Sequence, residues 1–426
     1  MYKKVLALIA VVVVIASLLV FTLTRIGTIN DMMKPPKLYG ENAQMQHAFE
    51  NSIKNKNEII LKYPTQGDYR SSFVLLDMVD GKWENVANIS GYGNEVISVE
   101  FEDINNDGIN EIFISWQLYE SKNKVVSIHN AESSGERLSG LSIIANETYS
   151  FMKLLDLDND GQTELFITNF DISTDQPRAY AKLFKMDREN RVKVIGEVGL
   201  DNSISDYPAF KVESDNHGNI SYIFIDANKG EFGMITEVVY WDSGISNLKA
   251  PFLDSDTLTN IITQRTPAIA SMDIDDDGYI EIPKESDSLN ISSLNSPADN
   301  EIGIGITTWY SVVNDLLVPK KHSFVNFNDL YILGIDDGKL KDSLLAYRNL
   351  KQRKLTVHSK GKDGKRLGEL FSIITVAIGE WAENPAEGYS LLSRNDNIIY
   401  AYRITDLGSR SGVTSDMLSR NLKVIK

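Results

Sequence analysis

Three nonapeptides in this sequence set oxygen-bearing side chains at alternate positions: DINNDGINE at 103–111, DLDNDGQTE at 156–164 and DIDDDGYIE at 273–281. In the first, Asp103, Asn105, Asp107 and Glu111 take positions one, three, five and nine, and Gly108 takes position six. The second offers Asp156, Asp158, Asp160 and Glu164, and the third Asp273, Asp275, Asp277 and Glu281. Alternate side chains on a tight loop turn toward one centre, and the glycine permits the bend. The carbonyl at position seven (Ile109, Gln162, Tyr279) adds an oxygen. A shell of about six hard oxygens suits Ca²⁺ better than Mg²⁺, which demands stricter octahedral geometry. Carboxylates this close repel and raise one another's pKa unless a cation joins them. The competing explanation is an ion-free polar turn, since Asp and Gly favour turns anyway. Three copies with the same acid at position nine argue against it.

An EF-hand begins in the same way but needs a bidentate Glu at position twelve and flanking helices. Position twelve here is Ile114, Ile167 and Lys284, and the flanks SVEFE, EIFISW, MKLLD and ELFITN have the texture of strands. No nucleophile–base pair, G-x-S-x-G elbow or phosphate-cradling loop accompanies the acids. The ions are therefore expected to pin strand connections, as structural metals do.

The elements that position these loops are short and β-rich. SSFVLLDMVDGKWENVANI, AYAKLFKMDRENRVKVIGEV and TEVVYWDSGISNL each read as strand, turn, strand. The motif glycines Gly108, Gly161 and Gly278 lie 53 and 117 residues apart, and Gly218 in ESDNHGNISYIFID splits the longer interval into 57 and 60. In that fourth copy His217 replaces the aspartate before the glycine and Ser221 the later glutamate, so fold is expected without a site. A period of this size with about four strands per unit fits propeller blades. The predicted fold is mainly β, a β-propeller of about five blades with a small C-terminal α/β domain and an N-terminal transmembrane helix.

The pattern D-x-[DN]-x-D-G-x-x-[DE]-[IL] between two strands resembles the FG-GAP/VCBS-type repeat of integrin α-subunit propellers and many bacterial surface proteins. The resemblance covers roughly 58–326 and implies that positions one, three, five and nine are calcium ligands, about three structural sites in all. Two departures stand out: the FG and GAP signatures do not recur with the acidic loops, and position nine is Glu where Asp is commoner.

At the N-terminus, Lys3 and Lys4 precede an uncharged run from Val5 to Thr24. Twenty residues at ~1.5 Å each span ~30 Å, the thickness of a bilayer core. The run ends in FTLTRIG without a small-residue cleavage site, which favours an uncleaved single-pass anchor with a cytoplasmic N-terminus and an extracytoplasmic bulk. Residues 1–26 are read as cytoplasmic tip and anchor, and 27–57 as a stalk with Pro35–Pro36 and a short helix carrying Met45, Phe49 and Ile53. The propeller then takes 58–326 and the C-terminal domain 327–426. A terminal helix with Ser415 as N-cap is expected over TSDMLSRNLKVI.

The chain has no cysteine, which removes disulfides, thiolate metal sites, cysteine nucleophiles and a lipoprotein anchor. Its five histidines are too scattered for a zinc-hydrolase motif. The net charge of −16 owes much to the three, four and four ligand acids of the loops. A basic run from Lys339 to Arg366, including Arg348 and Arg353, reads as a solvated face or an anion-binding one. An outward orientation leaves nucleic acid aside as a partner. The expected function is a membrane-anchored, non-enzymatic binding or adhesion module for protein or cell-surface glycan. The alternative is an extracellular propeller hydrolase or lyase with carboxylates in a central channel. Tryptophans Trp83, Trp116, Trp241 and Trp309 grouped on one face would favour glycan binding, and buried ones blade packing.

Overall fold

The computed structural model describes residues 44–48, 58–64, 71–79, 82–93, 95–119, 121, 123–134, 137–171, 178–231, 233–266, 268–285, 301–335 and 343–425. The expected membrane anchor lies outside the described residues, and no described helix is long and apolar enough to cross a membrane.

The described chain is mainly β, arranged as six antiparallel sheets, the first four consecutive and the last two interleaved along the chain. The first holds β1 (Gln44–Ala48), β2 (Glu58–Pro64), β3 (Ser71–Val79) and β4 (Lys82–Ser90) in chain order. The second holds β5 (Glu95–Glu102), β6 (Glu111–Gln117), β7 (Lys124–Ser134) and β8 (Arg137–Tyr149). The third holds β9 (Phe151–Leu155), β10 (Glu164–Asp171), β11 (Arg178–Met186) and β12 (Val192–Leu200). The fourth holds β13 (Ile204–Ser214), β14 (Ile220–Lys229), β15 (Gly233–Asp242) and β16 (Asn247–Lys249). Each is an up-and-down meander, the pattern that blade-sized repeats require.

The fifth sheet has the order β17 (Ile282–Glu285), β19 (Ile306–Val313), β20 (Leu316–Asn326), β21 (Tyr331–Ile335) and β27 (Leu422–Val424). The sixth has the order β18 (Glu301–Ile304), β22 (Leu344–Asn349), β23 (Lys354–Lys360), β24 (Arg366–Ala377), β26 (Ile398–Ile404) and β25 (Ser390–Arg394). Three short helices follow β24 and β26: α1 (Ile378–Glu383), α2 (Asp406–Arg410) and α3 (Ser415–Asn421).

The chain divides into two compact units, one of residues 1–198 with 242–248 and one of 199–241 with 249–426. In the first unit, strand β6 shows why EIFISW is apolar throughout. Ile112, Ile114 and Trp116 enter one core with Phe73 and Leu75, while Phe113 enters another with Leu165 and Phe184. Successive side chains of a strand point to opposite faces, so a sheet covered on both faces loses its polar alternation. In the second unit, Phe324, Tyr331 and Leu333 share one core with Leu355, Phe371, Tyr400 and Leu418.

Three expectations change. Residues 44–48 form an edge strand paired with β2 (Met45 opposite Leu61), where a helix was expected over Met45–Ile53; backbone pairing to a neighbouring strand outweighs a three-residue apolar periodicity. The boundary placed between 326 and 327 falls inside the β20–β21 hairpin, and β27 returns to β21, so the last hundred residues share a sheet with the preceding ones. Thr414, not Ser415, caps α3, its hydroxyl accepting from the Met417 N–H, and Leu422 has already left the helix for β27.

Candidate metal loops

The first two acidic nonapeptides connect the first strand of a sheet to the next, between β5 and β6 and between β9 and β10, and the third is closed by the isolated Met272–Glu281 bridge and runs into β17. All three share one hydrogen-bonded frame. The carboxylate at position one accepts from the backbone N–H groups of positions five and six: Asp103 from Asp107 and Gly108 (3.1 and 2.8 Å), Asp156 from Asp160 and Gly161 (3.1 and 2.9 Å), Asp273 from Asp277 and Gly278 (3.1 and 2.9 Å). The carboxylate at five accepts from the N–H at seven, at 2.8 Å for Ile109, 3.0 Å for Gln162 and 3.0 Å for Tyr279. Position four is left-handed in each (Asn106, Asn159, Asp276), and the glycines follow at φ 85°, 87° and 90°. Asn and Asp tolerate that region and glycine enters it freely, which accounts for N-D-G and D-D-G at these points.

Position two is a buried apolar anchor (Ile104, Leu157, Ile274), and position nine is a fully buried glutamate. Each glutamate divides its two oxygens. Oε2 accepts from the N–H of position two, at 3.1 Å in Glu111, 2.9 Å in Glu164 and 3.0 Å in Glu281. Oε1 faces another donor: Asn105 Nδ2 at 3.1 Å, Lys185 Nζ at 3.0 Å and Ser311 Oγ at 3.1 Å, respectively. The additional methylene of Glu is used to span both partners. Burial, with neighbouring carboxylates adding, pushes each glutamate up to about 7. Such groups are destabilising as anions without a countercharge.

The countercharge differs from loop to loop. In the second, the Lys185 ammonium from β11 sits among Asp158 (3.0 Å), Asp160 (2.6 Å) and Glu164 (3.0 Å). Burial opposes its charge, but these hydrogen bonds hold Lys185 above the ordinary lysine range, and the bond to Lys185 draws Asp160 down. Lys185 marks the point on which the donors converge, as a stand-in cation. Carboxylate oxygens of Asp156, Asp158, Asp160 and Glu164 lie within 4.8 Å of one another, as do those of Asp273, Asp275 and Glu281 in the third loop. There Lys320 reaches Asp277 at 2.6 Å, and Lys423 reaches Asp276 at 2.7 Å from outside the cluster. In the first loop the Asn105 amide takes the inner place, donating to Asp107 (3.2 Å), Glu111 (3.1 Å) and Asn190 (2.7 Å). The donor chemistry of the second and third loops, hard oxygens converging on a prebuilt frame, fits a calcium-sized cation, and the first shares the frame without that convergence.

The structure thus brings together all four predicted acids of the second loop and Asp273, Asp275 and Glu281 of the third, whereas Asp277 turns to Lys320 and the acids of the first loop are held apart around the Asn105 amide. Ile109, Gln162 and Tyr279 contribute their N–H groups to the frame. The Gln162 side chain also ties the second loop to the first by donating to the Ile104 carbonyl. In the fourth copy, Gly218 keeps φ 87°, but the connection is a tight turn in which Asp215 collects the N–H groups of His217 and Asn219 at 2.8 and 2.9 Å. Glu213, five residues before Gly218 as Asp103 is before Gly108, now supports the third loop by accepting from the Ile280 N–H at 2.8 Å. Lys185, Ser311, Lys320 and Glu213 carry no local motif; only the fold brings them to the loops.

Other buried acids are matched inside the core of the second unit. Asp226 binds Arg265 (2.9 Å) and Thr236 (2.6 Å), and Asp201 binds Lys229 (2.6 Å) and the Asn260 N–H (2.7 Å). Trp116 and Trp309 are fully buried, each donating to a serine on the adjoining strand, Ser127 or Ser323, at 2.8 Å. By the criterion set above, these two serve packing.

No protein-family model matches this chain, and no curated protein is similar to it. Among solved structures, the Dos1 propeller is 8% identical over 84% of this chain and 76% of its own, with a TM-score of 0.31. A Lactobacillus plantarum protein is 9% identical over 75% and 83% (TM-score 0.28). A putative 6-phosphogluconolactonase from Bacteroides fragilis is 11% identical over 75% and 81% (TM-score 0.26). Likenesses of this size say nothing of what the chain binds or whether it catalyses a reaction.

Proposed function

We propose that this chain is a membrane-anchored, extracytoplasmic binding module whose blade-like sheets form a β-propeller stiffened by calcium, with protein or cell-surface glycan as its partner. The observation that carries the calcium part is the repeated frame: three loops with the same backbone bonds, left-handed residues and two-faced buried glutamate. Asp103, Asn105, Asp107 and Glu111, then Asp156, Asp158, Asp160 and Glu164, then Asp273, Asp275, Asp277 and Glu281 would hold the ions, with the carbonyls of Ile109, Gln162 and Tyr279. A bound ion supplies charge that the buried glutamates need and fixes the turn from one strand to the next. The propeller part is supported by the succession of four-stranded meanders at a period near 55 residues, and the anchor by the uncharged run Val5–Thr24.

The test is thermal unfolding of the full-length protein in calcium and in chelator. A calcium-dependent rise, abolished when Asp158 and Asp160 are both replaced by Ala in a background lacking the other two loops' position-one aspartates, supports the reading. Identical melting curves in calcium and chelator contradict it.

A further inference from the structure

Within the second unit, a cavity of about 240 Å³ opens between β17, β18, β20 and β22. Its wall carries one cation, Arg348, and one anion, Glu285, together with Thr307, Asn328, Ile304 and Phe327. Arg348 belongs to the basic run that the sequence suggested for a solvated face, yet its fate differs from that of its neighbours. Arg353 is paired with Asp329 at 2.8 Å, and Arg366 with Glu301 at 2.6 Å. The Nε of Arg348 is instead buried without a hydrogen-bond partner. The buried Tyr331 hydroxyl lies within electrostatic reach of the same guanidinium.

A buried donor on a permanently charged group is seldom left unmade, because desolvation without a partner is unfavourable. An arginine without an ion pair among the described residues, on the wall of a cavity this size, points to an anionic ligand that meets its terminal nitrogens, since pockets typically combine apolar walls with a few fixed polar groups. We propose that this cavity binds a small hydroxylated monocarboxylate. The carboxylate meets Arg348 through the planar fork that guanidinium offers. Hydroxyl groups donate to Glu285 and bond to Asn328 and Thr307, and the carbon face lies on Ile304 and Phe327. Glu285 disfavours a dianion such as phosphate by like-charge repulsion. Gly305 sets the room available: a Cβ there would come within 2.3 Å of Glu285 Oε1, so any side chain displaces that carboxylate. The site gives the binding reading a ligand class and rests on that reading, but it needs none of the calcium loops.

The probe is D-glucuronate, titrated by calorimetry into the calcium-saturated full-length protein, with D-glucose, acetate and inorganic phosphate as comparisons. Binding tighter than that of all three comparisons is expected. Arg348→Gln should weaken it by about tenfold or more, with Arg348→Lys intermediate, the scale of a lost charge-assisted bond. Gly305→Ala, which displaces the Glu285 carboxylate and adds a methyl to the cavity wall, should weaken glucuronate more than acetate; it keeps the test open where the arginine variants do not fold. No heat with glucuronate, equal affinity in Arg348→Gln, or phosphate or acetate binding as tightly would overturn the proposal. Calcium dependence is read separately from melting, so either reading can fail without the other.

Discussion

The loop at 156–164 and the loop at 273–281 share a backbone frame almost bond for bond, but not a source of positive charge. The first carries its own: Lys185 bonds to three of the four carboxylates and is mostly shielded from solvent. The second has Lys320 on the more exposed Asp277 and leaves Asp275 and Glu281 facing each other. The frame therefore builds the anionic centre, and the surroundings decide what neutralises it. An internal ammonium at 2.6–3.0 Å competes with a divalent ion, whereas a peripheral one screens it little. The account predicts tighter calcium binding at 273–281 than at 156–164.

The largest expected effect breaks the frame itself. Asp273→Ala removes a ligand and the acceptor of two backbone N–H groups. At calcium a thousandfold above Kd, losing that ion alone costs about 4 kcal/mol of stability, checked by denaturant unfolding in calcium. The same substitution in chelator should cost much less.

Exchanging the internal cation sharpens the comparison. Lys185→Met takes the shared ammonium from Glu164, Asp158 and Asp160 and leaves them only their backbone N–H partners, so the chelated protein should lose about 2–3 kcal/mol. Calcium affinity at that loop should rise, and calcium should restore most of the lost stability. Lys320→Met, at a more exposed pair, should change the chelated protein by about 1 kcal/mol or less. Equal effects of the two substitutions would remove the distinction between the loops.

Acidity gives a third measure. Glu111, Glu164 and Glu281, with Glu237 in the core, rise from 4.5 to about 7 in the fold and outnumber His129, which burial lowers to about 4, so the native chelated chain holds more protons than the unfolded one across that interval. Stability in chelator should therefore fall as pH rises from 4.5 to about 7 and level off above it. Saturating calcium should reverse the slope, because its ligands must be deprotonated. Unfolding midpoints taken across this range in both buffers check the sign. The smallest effect belongs to the fourth copy: Gly218→Ala at φ 87° should cost about 1 kcal/mol and leave calcium binding unchanged.

Much of this was legible in residue spacing. The D-x-[DN]-x-D-G pattern specifies its own backbone, since Asp at one and five bond to N–H groups only a few residues away, and Gly218 marked a fourth turn even after its acids were lost. The strand character of EIFISW and the hairpins over 71–90 and 178–200 followed equally from local pattern. What the sequence did not reveal is long-range. Lys185 looks like any strand lysine, and Arg348 like one member of a basic run. β27 is three residues that only the presence of β21 makes a strand. The misplaced boundary at 327 has the same origin, because a change of texture along the chain is not a break in pairing across it.

The most direct test of the central claim is equilibrium calcium titration of the full-length protein, counting ions by calorimetry. The account predicts three sites, with the loop at 156–164 weaker than that at 273–281 and gaining affinity in Lys185→Met. No binding up to about 1 mM free calcium, the weak end of extracellular modules, would contradict it.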